Sequence, residues 1–113
     1  MSFVKFTPNG RFVLSSMLDG TLRLWNYHKA KCLRTYSGHK NLKFCCTADF
    51  DTLSSRHTVI AGSEDGKVYV WDLQTKQVLQ VLEGHSDVVL SVAAHPHRHL
   101  IATGGTDKVT LTL

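Results

Sequence analysis

Three groupings of side chains carry the residue types of a catalytic or metal site. The first is a hydroxyl–imidazole–carboxylate complement: Ser15 with Asp19, His39 with Asp65, and His85 with Thr103 and Asp107. Acyl transfer uses such a set, the imidazole taking the hydroxyl proton and the carboxylate orienting the imidazole. Here the set recurs along the chain, whereas a catalytic set occurs once with an exposed nucleophile. No Gly-x-Ser-x-Gly elbow accompanies it; the nearest string, Gly62-Ser63-Glu64-Asp65-Gly66, reads as a turn. The second grouping is His95-Pro96-His97-Arg98-His99, in which alternate imidazoles on an extended segment have the chemistry for zinc or nickel. It occupies the place that Pro8-Asn9-Gly10 holds earlier in the chain, so solvent-facing imidazoles and no metal are expected. The third is cysteine: Cys32, Cys45 and Cys46 are odd in number, and the adjacent pair lacks metal-site spacing. Free thiols in a reducing compartment fit this usage. No enzyme, cofactor or small-molecule substrate is expected.

The elements that must position these residues repeat. The chain matches itself at a spacing of 46: Asp19-Gly20 returns as Asp65-Gly66, Trp25 as Trp71, and Gly38-His39 as Gly84-His85, while Asp107 follows Asp65 by 42. Within each unit the apolar residues alternate, as in Leu22 and Leu24 or Val68 and Val70, which is the period of a strand. Turn signals bound the runs: Thr7-Pro8-Asn9-Gly10, Leu18-Asp19-Gly20, Glu64-Asp65-Gly66 and His95-Pro96. The pattern predicts eleven antiparallel strands over 3–6, 12–16, 21–25, 32–36, 43–49, 58–62, 67–71, 78–82, 88–93, 99–103 and 108–112, with no helix of consequence. After Asp107 the alternation comes one residue early, at Val109 and Leu111. A one-residue slip would reverse every side chain. Either a shortened turn absorbs it and places Thr112 where Trp is expected, or the segment departs from the repeat.

The composition sets bounds. The chain has 113 residues, 42% apolar and 19% charged, with 13 Lys+Arg against 9 Asp+Glu for a net +4. That is not a disordered composition, and no apolar run reaches the roughly 18 residues of a membrane span. Without an apolar segment after Met1, a soluble intracellular protein is expected, with no membrane partner. Basic residues concentrate early, at Arg23, His28, Lys29, Lys31, Arg34, Lys40 and Lys43. With no aromatic ladder, finger or helix-turn-helix beside them, direct nucleic-acid binding is not expected.

Four-stranded units with Gly38-His39 leading to Trp71-Asp72, Gly84-His85 following, and Trp25-Asn26 closing the first unit resemble the WD-repeat β-propeller. The resemblance covers nearly the whole chain. It implies an all-β fold, a partial propeller of about two and a half blades with units near 1–37, 38–83 and 84–113. It also implies that the recurring polar residues are structural: His bonds the turn Asp, a strand hydroxyl and, through it, the Trp indole. The matching positions are Ser15, Asp19 and Trp25; His39, Asp65 and Trp71, with Ala61 at the hydroxyl place; and His85, Thr103 and Asp107.

Longer stretches resemble the propeller subunit of MLL/COMPASS-type histone-lysine methyltransferase complexes, among them Cys32-Leu33-Arg34-Thr35-Tyr36-Ser37-Gly38-His39-Lys40-Asn41 and Leu22-Arg23-Leu24-Trp25-Asn26-Tyr27. This implies a nuclear, non-catalytic scaffold that binds short peptides of partner subunits or histone tails. One implied site is an arginine pocket at Ser2, Phe44 and Cys45, where the family's second sandwiching ring aligns with Thr47. The other is a partner-peptide cleft at Asn9, Phe12, Leu24, Arg34 and Gln74, with an apolar floor of Phe12 and Leu24 and with Arg34 meeting acidic groups. A generic adaptor in another complex, such as ubiquitin ligase or RNA processing, is the alternative. An open arc of blades exposes apolar faces and strand edges, so poor solubility of the isolated chain, self-association or pairing with a complementary fragment is expected.

Overall fold

The computed structural model describes residues 3–7, 10–39, 41, 46–51, 57–83, 88–94, 101–105 and 109–112. These form eleven strands: β1 (Phe3–Phe6), β2 (Val13–Met17), β3 (Thr21–Asn26), β4 (Lys31–Tyr36), β5 (Ala48–Asp51), β6 (Thr58–Gly62), β7 (Lys67–Asp72), β8 (Val78–Glu83), β9 (Val89–Ala94), β10 (Ile101–Gly105) and β11 (Val109–Thr112). No helix occurs among the described residues. Each strand pairs antiparallel with its sequence neighbour, giving sheets β1-β2-β3-β4, β5-β6-β7-β8 and β9-β10-β11. The architecture is all-β, a partial propeller of stacked meanders.

The turns follow from their residues. Asp-Gly joins β2 to β3 and β6 to β7, and Gly20 and Gly66 both sit at φ +84, a conformation in which a Cβ would be strained. The Asp ahead of each glycine accepts from the backbone two residues on, Thr21 N–H at 3.1 Å from Asp19 and Lys67 N–H at 3.2 Å from Asp65. At the outer hairpins Ala30 and Lys76, also 46 apart, both adopt left-handed φ (51 and 67). The same hairpins carry a register shift before each Trp, between Leu24 and Trp25 and between Val70 and Trp71.

Two cores lie between sheets. Leu14, Leu22, Leu24 and Tyr36 of the first sheet pack with Ala48, Phe50, Val59, Ala61 and Trp71 of the second. Ile60, Val68 and Val70 of the second pack with Val89 and Val92 of the third. Thus the two faces of β6 serve different junctions, as alternation requires.

Two departures from the expected pattern have physical causes. The strand expected over 43–49 is found at Ala48–Asp51; residues 43–45 lie outside the described residues. Thr47 instead turns to the third sheet, its N–H donating to Leu90 O at 2.9 Å and its hydroxyl accepting from Val92 N–H at 3.2 Å. The early alternation after Asp107 is absorbed by a shorter connection. Gly62 pairs with Val68 across five residues, whereas Gly104 pairs with Val109 across four. The register then restores phase: Val109 and Leu111 take the places of Val68 and Val70, and Thr112, opposite Ile101, takes the place of Trp71 opposite Val59.

Candidate functional site

The first sheet brings Ser15 and Trp25 together: the indole N–H donates to Ser15 Oγ at 2.9 Å. Asp19 is exposed and serves its own turn, accepting from Thr21 Oγ1 at 2.5 Å and from Arg23 Nη2 at 3.0 Å. The Thr21 hydroxyl holds its carboxyl below the ordinary carboxylate range, with Arg23 adding to the effect.

The second sheet is wired differently. A buried hydrogen-bonded chain through His39, Asp65 and Trp71 was expected, and it does not form. Neither ring nitrogen of His39 has a hydrogen-bond partner among the described residues, although His39 is buried. The cause is visible at position 61, where the first sheet has a serine (Ser15) and the second has Ala61, buried in the core. With no hydroxyl to accept it, the Trp71 indole donates to Ser37 O at 2.9 Å, and His39 meets Trp71 edge-on at 5.0 Å. Asp65 is drawn to its own turn, accepting from Tyr69 Oη at 3.0 Å and from Lys67 N–H. Burial acts to raise its pKa, but bonds from Ser63, Tyr69 and Lys67 hold it below the ordinary value. In the third sheet Thr103 is buried; His85 and Asp107 lie outside the described residues.

Burial lowers the His39 pKa, and the charges of Asp65 and Glu64 only partly oppose it. The sign follows from linkage. The unfolded histidine takes up a proton near pH 6.5 while the folded one resists, so the unfolded state binds more protons below that point. Stability is present above about pH 6.5 and falls as the pH drops toward the lowered folded pKa. The urea midpoint at pH 5.5 is therefore expected to lie below that at pH 7.5. The difference should shrink in His39→Leu, and an unchanged difference would refute the assignment.

The cleft residues divide. Arg34 lies on β4 opposite Leu24, half-buried. Gln74 is exposed in the turn after β7, a turn set by Asp72 Oδ1 accepting from Gln74 N–H at 2.8 Å and Thr75 N–H at 3.1 Å. The two sheets are joined there by Tyr36, whose hydroxyl donates to Leu73 O at 2.7 Å. Burial pushes the Tyr36 phenol to about 12; the Arg34 charge lowers it and that of Asp72 raises it. Phe12 and Leu73 are half-buried against the same core. Leu24, expected as cleft floor, is instead 2% exposed inside that core, because β3 turns its Leu22 and Leu24 side to the second sheet. It offers no face to a ligand. Asn9 lies outside the described residues, as do Ser2, Phe44 and Cys45 of the arginine pocket.

Several junction residues went unnoticed in the sequence. Asn41 is buried, donating Nδ2–H to Ser16 Oγ at 2.7 Å while its backbone carbonyl accepts from Gly20 N–H at 3.1 Å. Lys5 pairs with Asp49 at 2.7 Å, and Asp49 also accepts from Ala94 N–H at 2.9 Å. Such residues carry no periodic signal, since each is defined by a partner in another sheet.

A family model described as "WD domain, G-beta repeat" matches residues 1–26, 30–72 and 76–110. Human "WD repeat domain-containing protein 83" is 40% identical over 106 residues, covering 89% of this chain and 32% of that protein. "Autophagy-related protein 16" of Arabidopsis thaliana is 36% identical over 101 residues, 89% of this chain and 19% of that protein. "COMPASS component SWD3" of Saccharomyces cerevisiae is 34% identical over 102 residues, 81% of this chain and 32% of that protein. The chain spans between about a fifth and a third of the length of these relatives. WD-repeat domains generally act as binding scaffolds rather than catalysts. Repeat spacing, meander sheets and family match agree: the chain belongs to the WD-repeat family.

Proposed function

We propose that this chain is a non-catalytic protein–protein interaction scaffold that holds an acidic–apolar peptide of a partner subunit at the junction of its first two sheets. The observation that carries this is the Tyr36–Leu73 bond. It brings the edge bearing Arg34 against the turn bearing Gln74, with Phe12 on the same core. Arg34 has no acidic partner within salt-bridge distance among the described residues, and a guanidinium takes a carboxylate in bidentate fashion. The likeness to "COMPASS component SWD3" supports a histone-methyltransferase complex in the nucleus as its setting. The higher identity to "WD repeat domain-containing protein 83" favours a second reading, an adaptor in another assembly.

The site is tested with a labelled acidic–apolar peptide in fluorescence polarisation. Arg34→Glu is expected to weaken binding at least about tenfold, since a charge-assisted bond is worth roughly 1.5–3 kcal/mol. Equal affinity for both proteins would exclude the site. Co-purification with methyltransferase subunits or with another complex then decides between the settings.

A further inference from the structure

The second sheet is a four-stranded meander that packs on the first sheet with one face and on the third with the other. Its outer strand, β8, pairs with β7 on one side, and among the described residues no strand pairs with it on the other. A strand edge of this kind offers backbone donors and acceptors to another strand, and folded proteins blunt it with charge or proline. The first sheet follows that rule, since the equivalent strand β4 carries Lys31 and Arg34. β8 does not follow it. The strand reads Val-Leu-Gln-Val-Leu-Glu, with no cation, no proline and a single charge at its last residue. Val78 is 44%, Leu79 40% and Val81 41% exposed.

The segment is complementary to itself. Val78 pairs with Trp71 and Val81 with Tyr69, so both valines stand on one face, the register shift at Val70/Trp71 bringing residues three apart to the same side. Laid antiparallel on a second copy with Val78 opposite that copy's Val81, the strand sets Val81 opposite Val78 and Gln80 opposite Leu79. Just beyond the strand, the same register brings Lys76 of each copy to Glu83 of the other. Lys76 is exposed. The Glu83 side chain is 78% exposed, with Lys67 Nζ at 3.7 Å from Oε1, which leaves a carboxylate oxygen for a second ammonium. A parallel arrangement would instead set Glu83 beside Glu83, and like charges directly opposite are destabilising.

We infer that two copies of this chain join edge to edge through β8, antiparallel about a two-fold axis, so that their second sheets form one eight-stranded sheet. The contact is isologous, so the valine pair and the Lys76–Glu83 pair each occur twice. Main-chain hydrogen bonds supply the affinity of strand addition, and side-chain pairs supply its register. A second copy is the occupant that the segment itself specifies, because both pairs arise only when the sequence is read against its own reverse direction.

Sedimentation of the 113-residue chain over a concentration series is expected to show a species of two chains. Val81→Lys should weaken it at least about tenfold by placing an ammonium in each half of the contact, while far-UV circular dichroism stays that of the parent. Lys76→Glu and Glu83→Lys should each weaken it about threefold or more, since like charges then face each other at both ends. Combining the two exchanges the charges and should restore the parent's association, which tests the register itself. A photoreactive side chain at position 79 gives a readout independent of these variants, with cross-links expected to residues 76–83 of another copy. A monomer, an assembly indifferent to Val81→Lys, no recovery in the charge-exchanged protein, or cross-links confined to other segments or to a different protein would each overturn the inference.

Discussion

Gly62→Ala is expected to destabilise the fold by about 2–4 kcal/mol, combining ~1–3 for overpacking with ~1 for a lost hydrogen bond. Gly62 has no positive φ, so the cost is not conformational. It is spatial: a Cβ there would lie 2.3 Å from Val89 O and 2.8 Å from Val89 Cγ1. The obstacle is the backbone of the neighbouring sheet, so relief requires moving β9 away from β6. That movement breaks the bond from Val89 N–H to Ser63 O, 3.0 Å in the native junction, and opens the core of Ile60, Val68, Val89 and Val92. The repeat supplies a control. Gly104 holds the equivalent place in the third sheet, but among the described residues its Cβ would meet only Ser91 Oγ, at 2.8 Å, and a hydroxyl at the end of a side chain can rotate aside. Equilibrium urea unfolding should therefore order the proteins as parent, then Gly104→Ala, then Gly62→Ala well below both. Equal midpoints for the two alanine variants would show that the β6–β9 approach does not limit stability.

The strands were legible because period-two alternation and Asp-Gly turns are local signals. Leu22 and Leu24, or Val68 and Val70, announce a strand whatever surrounds it. The phase slip after Asp107 was legible for the same reason, and the shortened β10–β11 connection is its physical resolution. The polar positions were legible only in part. Ser15 and Trp25 meet because both lie within one sheet. The His39–Asp65 bond does not form because its geometry depends on a third residue: Ala61 cannot take the Trp71 indole, the indole turns to Ser37 O, and Asp65 is taken by Tyr69. Motif matching places residues, whereas hydrogen bonds follow the competition among every donor and acceptor within reach.

The cleft shows a second limit. Alternation says that Leu24 and Leu22 share a side of β3; it does not say whether that side is covered. Coverage depends on the next sheet, through bonds such as Tyr36 to Leu73 and Asn41 to Ser16, between residues 37 and 25 apart in sequence. Sheet-to-sheet stacking therefore turned an expected peptide contact, Leu24, into core, while leaving Arg34 and Gln74 at the rim.

Trp71→Ala is expected to cost about 3–5 kcal/mol, more than the same change at Trp25, although both occupy the same place in the repeat. Trp71 is fully buried. Its ring stacks on Tyr69 at 5.9 Å, meets His39 edge-on, and lies 6.1 Å from Tyr36, so truncation opens a large cavity at the first junction. It also leaves Ser37 O, the acceptor of the indole N–H, without that partner. Trp25 is only half-buried and bonds to Ser15 within its own sheet, so its loss exposes surface that is already partly wet. Trp71→Phe separates the contributions, since it keeps an aromatic ring against Tyr69 but removes the donor. Its loss should fall between parent and Trp71→Ala, with the hydrogen-bond share near 1 kcal/mol. Unfolding followed by circular dichroism, which does not depend on the tryptophan being removed, measures all three. If Trp25→Ala proved as damaging as Trp71→Ala, the junction between the first two sheets would not be the main source of stability. The Tyr36–Leu73 bond that brings Arg34 to Gln74 would then rest on some other contact.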